Sequence, residues 1–418
     1  MTDDTRSHGG GESTRKTRRN VLAGTGALGA SFLAGCLGGS GGPGGNGSGN
    51  GSGGGGTSLT IGYQPYYAES WSALVVKHAG LAEKHLPDGY SVDGWEIALQ
   101  GSIVGNRMIA GKNQVGYTGD MPTITAIASD ETPISAVGTA GFSNGQQCNL
   151  AVVPSDSDVE VPSDLNGKTF GVTTGSCTHR FMLRMAEQEG IDYEVKDQGI
   201  NSILAGVRQG NLGVGFGWEP VMNRVVSQEG EGRYVLSGAE YDLPDAAGII
   251  MPDSLIDDHP EAAKGWMKAE LEAKHIMRTD HERTLDLVAQ ESEISDYDRS
   301  TLRNCLYENL DINPDVDRLE FVTDYGEVDA AGTLLRENAP NFLMNQGIID
   351  EVPGDDRYKL GPLDEAVDEL EGSVEWTPAG GRQNGSGSGN SSGNTSSSTN
   401  TTGTTSSPGN ATGNSSSR

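Results

Sequence analysis

The chain reads as an α/β protein folded in two lobes, and three observations carry that prediction. From Leu59 to Met251, short β-type runs alternate with helix-length amphipathic segments. After Met251 the strands stop. A helical pattern then runs from Pro260 to about Glu337, with a last helix near Leu363–Leu370. Such a tail fits a chain that returns to its first lobe, the second lobe being inserted between the first lobe's strands and its terminal helices.

In chain order, the first lobe has candidate strands at Leu59–Gly62, Trp95–Leu99, Gln114–Tyr117 and Ile134–Val137, separated by helices near Ser70–His78, Ser102–Ala110 and Pro122–Ser129. The second has strands at Leu150–Val153, Thr169–Val172, Glu194–Lys196, Gly213–Phe216 and Tyr234–Leu236, with helices near Thr178–Gln188, Ser202–Gln209 and Val221–Gln228. The strand Ala246–Met251 leads back. Lobe one is therefore expected over 59–142 and 246–378, and lobe two over 143–245. Two crossings, near Phe142–Asn149 and Asp242–Ile249, are expected to form a hinge. Open α/β sheets bind ligands beyond the carboxyl ends of their strands, so the site should lie between the lobes and draw on loops far apart in sequence.

Charge narrows the function. The chain has 29 Lys+Arg against 58 Asp+Glu, a formal net charge of −29, and residues 59–378 alone carry a net of −33. A surface this negative repels nucleic-acid phosphates and anionic lipid headgroups, which argues against a nucleic-acid- or headgroup-binding protein. Such an acidic balance suits concentrated salt, which screens the self-repulsion. Of 62 Gly, 20 precede residue 59 and 9 follow residue 378, so the middle has an ordinary share.

The first 36 residues read as an address and an anchor. Arg18-Arg19 precedes a Gly/Ala-rich apolar run that ends in Leu33-Ala34-Gly35-Cys36. An Arg pair ahead of a run too short to span a bilayer is a twin-arginine export signal. The last four residues resemble a lipobox, in which the chain is cut before the Cys and its sulfur takes a lipid. Residues 37–58 are almost wholly Gly, Ser and Asn, a tether of roughly 25 Å reach. Residues 379–418 form a polar tail without core-building side chains, expected to be disordered. Asn-x-Ser/Thr triplets begin at Asn46, Asn50, Asn384, Asn390, Asn394, Asn400, Asn410 and Asn414, positions open to glycosylation.

Four stretches, in order, resemble the solute-binding proteins of ABC importers for nitrate, sulfonate, taurine and bicarbonate, with thiamine-pyrimidine binders as relatives. They are Ile61-Gly62-Tyr63-Gln64-Pro65 followed by Ala73–Gly80-Leu81; Gly101 through Pro122; Leu165–Val172 followed by Gly175-Ser176; and Ala205-Gly206…Gly210 leading to Trp218-Glu219-Pro220. The resemblance covers about residues 59–250. It implies the two-lobe type II fold of periplasmic binding proteins with a hinge of two crossings and helical C-terminal additions. It also implies capture of a small anion by lobe closure, and delivery to a permease with its ATPase. The protein is then expected to be a monomer on the outer face of the cytoplasmic membrane, held there by Cys36. The same fold serves cytosolic enzymes of thiamine and menaquinone synthesis, so fold alone does not decide the class. The export signal argues for a binder, and neither a Gly-x-Ser-x-Gly elbow nor a phosphate-binding Gly-x-x-x-x-Gly-Lys-Ser/Thr is present.

The candidate site residues are Gln64, Tyr66, Tyr117, Asp120, Phe142, Gly175, Ser176, Cys177, Thr178, Trp218 and Glu219. Gly175-Ser176-Cys177-Thr178 follows a strand and opens a helix, where free N–H groups and the positive end of the dipole suit an oxyanion. N-capping by Ser176 or Thr178 explains the same residues equally and does not exclude a ligand. His179 and Arg180 sit one turn in, and Arg180 either joins the ligand or pairs with an acid. The rings Tyr63, Tyr66, Tyr67, Tyr117, Phe142 and Trp218 sit at expected strand ends, where they either sandwich a solute or pack the lobes. Glu219 would suit an amino group, as in taurine, or a loop-locking hydrogen bond. Apart from Cys36, the cysteines are Cys148, Cys177 and Cys305; a bond between Cys148 and Cys177 is open, as are free thiols. No Cys/His spacing suits a metal, and no cofactor is expected.

Overall fold

The structure is a computed structural model that describes residues 57–321 and 329–370. The expected export signal, nearly all of the expected tether and the polar tail lie outside the described residues. Ten strands form two five-stranded sheets. The first holds β1 (Thr57–Tyr63), β2 (Tyr90–Ile97), β3 (Val115–Gly119), β4 (Ile134–Ser143) and β10 (Asp245–Pro252) in the order β2-β1-β3-β10-β4. The second holds β5 (Leu150–Pro154), β6 (Thr169–Val172), β7 (Glu194–Asp197), β8 (Val214–Gly217) and β9 (Gly232–Ser237) in the order β7-β6-β8-β5-β9. β1 runs parallel to β2 and β3, and β6 parallel to β7 and β8. One strand of each sheet is antiparallel to both neighbours: β10 between β3 and β4, and β5 between β8 and β9. This is the two-lobe α/β fold.

Helices connect the parallel strands. In the first lobe they are α1 (Ser72–His78), α2 (Leu81–His85), α3 (Gly101–Ile109) and α4 (Asp120–Ile127); in the second, α5 (Cys177–Glu189), α6 (Ile200–Arg208) and the short α7 (Val221–Asn223). α5 shows why its residues form a helix. The Ser176 side chain caps its start, Phe181, Met182, Met185 and Ala186 are buried along one face, and Gly190, at φ +65°, ends it. After β10 come α8 (Asp253–Asp258), α9 (Pro260–Thr279), α10 (His281–Val288) and α11 (Arg299–Tyr307), then α12 (Asp329–Thr333), α13 (Ala339–Asn345) and α14 (Gly361–Leu370). Among the described residues, no helix is long and apolar enough to cross a membrane.

All ten strands were anticipated by the sequence pattern, with three informative differences. β4 continues past Val137 to Ser143, because its glycines serve close approach and not a turn: a Cβ on Gly141 would lie 2.5 Å from the Glu69 carbonyl oxygen. α2 has only five residues after the left-handed Gly80, too few to show a helical period. The helical run after Pro260 is interrupted from 308 to 321, where Asn313-Pro314 cannot continue a helix.

That interruption adds a third link to the two crossings. Phe142 and Glu320 exchange backbone hydrogen bonds at 3.0 and 2.7 Å. On the other lobe, Asn313 accepts from the Ser237 hydroxyl at 2.7 Å and donates to Glu240 at 3.1 Å. Gln147, in the first crossing, donates to the carbonyls of Cys305 at 2.5 Å and Arg318 at 3.1 Å. Asp245 ties the two crossings together, accepting from the Ser143 hydroxyl at 2.7 Å and from the N–H groups of Cys148 and Asn149 at 3.1 and 3.2 Å.

Candidate functional site

A cavity of about 110 Å³ lies between the lobes at the carboxyl ends of the parallel strands. From the first lobe it is lined by Gln64 and Tyr67 after β1, Gln100, Gly101 and Ser102 at the start of α3, and Gly119 and Pro122 at the start of α4. The second lobe supplies Thr173, Thr174, Gly175, Ser176 and Cys177 at the start of α5, and Trp218 after β8; Cys148 comes from the crossing. Three helix N-termini thus converge on one space, two from one lobe and one from the other. The starts of α3 and α5 carry N–H groups ahead of their own ladders and a positive partial charge, while at the start of α4 the Met121 N–H is taken by the Asp120 carboxylate at 2.7 Å.

The start of α5 is built in detail. Gly175 has φ +78°, a left-handed turn that only glycine adopts freely. Ser176 Oγ donates to the Thr173 carbonyl at 2.6 Å and accepts from the His179 N–H at 3.3 Å. The N–H groups of His179 and Arg180 turn back to the Ser176 carbonyl at 3.1 and 3.3 Å. The N–H groups of Cys177 and Thr178 are the first of the helix, ahead of its own ladder. Ser176 therefore caps and exposes at once. Its hydroxyl proton points to a carbonyl and Cys177 is bridged to Cys148, with Cα atoms 6.1 Å apart, so neither is set as a nucleophile.

Among the described residues no Asp, Glu, Lys, Arg or His lines the cavity. The nearest charges lie beneath the wall. Asp120, at the start of α4, and Arg180, one turn into α5, form an ion pair across the lobes at 3.3 Å, both buried. Arg180 also donates to the Pro244 carbonyl at 2.5 Å, while its Nε and Nη1 have no hydrogen-bond partner among the described residues. Burial pushes the Asp120 carboxyl up to about 6, with Arg180 working downward and Asp245 upward. Glu69 stands beside Asp245, and burial together with that neighbour raises its carboxyl well above the ordinary range. Tyr67 OH donates to Glu69.

The structure brings Gln64, Gly175, Ser176, Cys177 and Trp218 together on the cavity wall. The other candidates sit elsewhere, for reasons their neighbours supply. Tyr66 lines a separate cavity of about 270 Å³ with Tyr297 and Arg224, and Tyr67 takes its expected place. Tyr117 is buried against the terminal helices, its hydroxyl donating to Glu270 at 2.8 Å and accepting from Trp266 at 3.0 Å; only its carbonyl faces Gln64, at 3.2 Å. Phe142 is buried in the core with α13. Thr178 is buried, 3.0 Å from Ser176 Oγ. Asp120 is held by Arg180 below the wall. Glu219 is fully buried in an ion pair with Arg318, so of the readings open to it the loop-locking one fits. Trp218 Nε1 donates to the Tyr66 carbonyl at 2.9 Å and the Ala68 N–H to the Glu219 carbonyl at 3.0 Å, two bonds that hold the lobes against each other. Gln100 and Ser102, absent from the candidate residues, also line the cavity, and the sequence marks them only through the small-residue helix start at Gly101.

Among the described residues, no group of three or more His, Cys, Asp or Glu side chains is placed to hold a metal ion.

Comparison with known proteins agrees with this architecture. Residues 100–283 match the model of the NMT1/THI5-like family. A search of curated proteins finds no match. Among solved structures, the alkanesulfonate-binding protein SsuA from Xanthomonas axonopodis pv. citri, bound to MOPS, superposes with a TM-score of 0.57 at 18% identity, over 73% of this chain and 97% of that one. The periplasmic nitrate-binding protein NrtA from Synechocystis PCC 6803 gives 0.59 at 14% identity, over 76% and 89%. The desulfurization enzyme DSZB gives 0.55 at 14%, over 75% and 99%. Residues 100–283 thus carry the NMT1/THI5-like family pattern, and the chain has the two-lobe fold of the periplasmic solute-binding proteins.

Proposed function

We propose that this protein is the extracytoplasmic solute-binding component of an ABC importer, that it captures a small anion between its lobes, and that it is not an enzyme. The observation that carries the reading is the convergence of the starts of α3, α4 and α5 on a cavity lined by neutral side chains. Amide donors and helix dipoles act at contact and without a lining cation, which suits a sulfonate, nitrate or bicarbonate. Among sulfonates, an unaminated one fits better than taurine, because no lining carboxylate would hold an ammonium group. Each charge-assisted hydrogen bond contributes about 1.5–3 kcal/mol, enough for micromolar binding after the association cost.

Around this site we place lobe one at 59–142 and 246–378 and lobe two at 143–245, with lobe closure delivering solute to a membrane permease. Arg18-Arg19 and Cys36 support export by the twin-arginine route and a lipid anchor, the body acting as a monomer on its tether. Replacing Cys36 by Ser should release the folded protein from membranes; continued membrane fractionation would contradict the anchor.

A second reading, a thiamine-type pyrimidine, is favoured by the NMT1/THI5-like match and by the amides of Gln64 and Gln100 beside Tyr67 and Trp218. Calorimetry with ethanesulfonate, taurine, nitrate, bicarbonate and hydroxymethylpyrimidine separates the two. Heat from the anions supports the first reading, and heat from the pyrimidine alone replaces it with the second. Product formation from any of them would make the chain an enzyme.

A further inference from the structure

We propose, building on the anion reading above, that the site binds its anion together with one proton, and that Asp120 carries that proton. Beneath the cavity wall lie three carboxyls, Glu69, Asp120 and Asp245, all essentially inaccessible to water, and one cation, Arg180. Asp120 is faced by Arg180 of α5, by Asp245 of β10, and by Glu69 and Tyr67 of the loop after β1. Burial, with Asp245 and Asp120 close by, pushes the Glu69 carboxyl well above the ordinary range, so of the three buried carboxyls Glu69 is the one that keeps its proton. Burial raises Asp245 as well, but it accepts from the Ser143 hydroxyl and from the Cys148 and Asn149 N–H groups, donors that favour its ionised form over that of Glu69.

What remains is the Asp120–Arg180 pair and the Asp245 carboxylate, a net of one negative charge next to the space where an anion enters. Adding a second negative charge with only Arg180 to offset it is unfavourable in a water-poor interior. Protonation of Asp120 removes that conflict. It frees the Arg180 charge one helical turn from Ser176 and Cys177, and among the described residues two of its N–H-bearing nitrogens already lack acceptors. His179 is a poorer carrier: its Nδ1 accepts the Gly175 N–H at 3.3 Å and its ring meets Phe342 edge-on, so a second ring proton would break the start of α5. The Asp120 carboxyl, pushed up to about 6 before any anion is present, is poised to accept a proton when a further negative charge arrives.

The sign follows. The complex binds more protons than the free protein, so affinity must rise as pH falls from 8 toward 6, by up to about tenfold per pH unit, and level off below 6. Ethanesulfonate and nitrate serve as probes because neither titrates in this range. Calorimetry at pH 7 in two buffers of different ionisation heat should count uptake approaching one proton in the native protein. Asp120→Asn should bind ethanesulfonate about a hundredfold tighter than native at pH 8, with a flat profile from 8 to 6. Binding of either probe with no proton uptake in the native protein overturns the proposal and leaves the anion reading intact. Uptake that persists in Asp120→Asn overturns the assignment to Asp120. No heat from either probe at any pH defeats the anion reading, and this proposal with it.

Discussion

Replacing Arg318 by Met should destabilise the protein by about 3–5 kcal/mol without rewriting its ligand specificity, the cost typical of stranding one partner of a buried ion pair. Arg318 and Glu219 are both essentially inaccessible, so water cannot take over the lost contact. Without Arg318, the Glu219 carboxylate keeps the Tyr234 hydroxyl at 2.6 Å and the Asn223 N–H at 2.8 Å, neutral donors that do not balance a full charge. Methionine occupies much of the arginine's volume, so little of the loss comes from a cavity. Removing the charge as well, in Glu219→Gln with Arg318→Met, should recover at least about 2 kcal/mol, since the amide retains the neutral partners. Urea unfolding followed by circular dichroism, in concentrated salt, gives all four corners of the cycle. Were Arg318→Met to lose less than about 1 kcal/mol while abolishing anion binding, Glu219 would belong to the ligand site and the structural account of it would fail.

Three further outcomes follow from the same contacts. Ser176→Ala removes the cap of α5 and should cost about 1 kcal/mol of stability together with a drop in anion affinity; a loss of one without the other would separate capping from binding. Reducing the Cys148–Cys177 bridge, which spans 29 positions of sequence, should lower the unfolding free energy by about 3–4 kcal/mol, read from urea curves with and without reductant. The net charge of −29 predicts a melting temperature that climbs steeply as salt rises from about 0.1 M, where the Debye length is ~10 Å; a salt-independent value would refute self-repulsion as the cause.

What sequence reveals here depends on how local the cause is. Strand and helix positions follow from short-range periodicity, and the start of α5 is legible because Gly175, Ser176 and Cys177 are neighbours that together turn, cap and expose. Tyr117 was legible as a ring at a strand end, but which side of the sheet it takes depends on Glu270 and Trp266, more than 140 residues away. Glu219 was ambiguous for the same reason: its partner Arg318 lies 99 positions on, in an irregular stretch with no period to flag it. That Tyr67 and not Tyr66 lines the cavity depends on how the loop after β1 seats against its buried neighbours, Tyr67 meeting Glu69, and composition does not reveal it. Asp120 stands among the candidate residues of the sequence, yet it lies below the cavity wall, and its pairing with Arg180 across two lobes is a purely tertiary event.

The central claim is that an anion sits where α3, α4 and α5 begin. A crystal structure grown with ethanesulfonate, with the ligand's sulfur located by anomalous scattering, tests it most directly. The account predicts the sulfonate in the cavity of Gln64, Ser102 and Trp218, its oxygens within hydrogen-bond distance of the Cys177 and Thr178 N–H groups. A sulfonate in the second cavity, beside Arg208 and Arg224, with the first left to water, would contradict it.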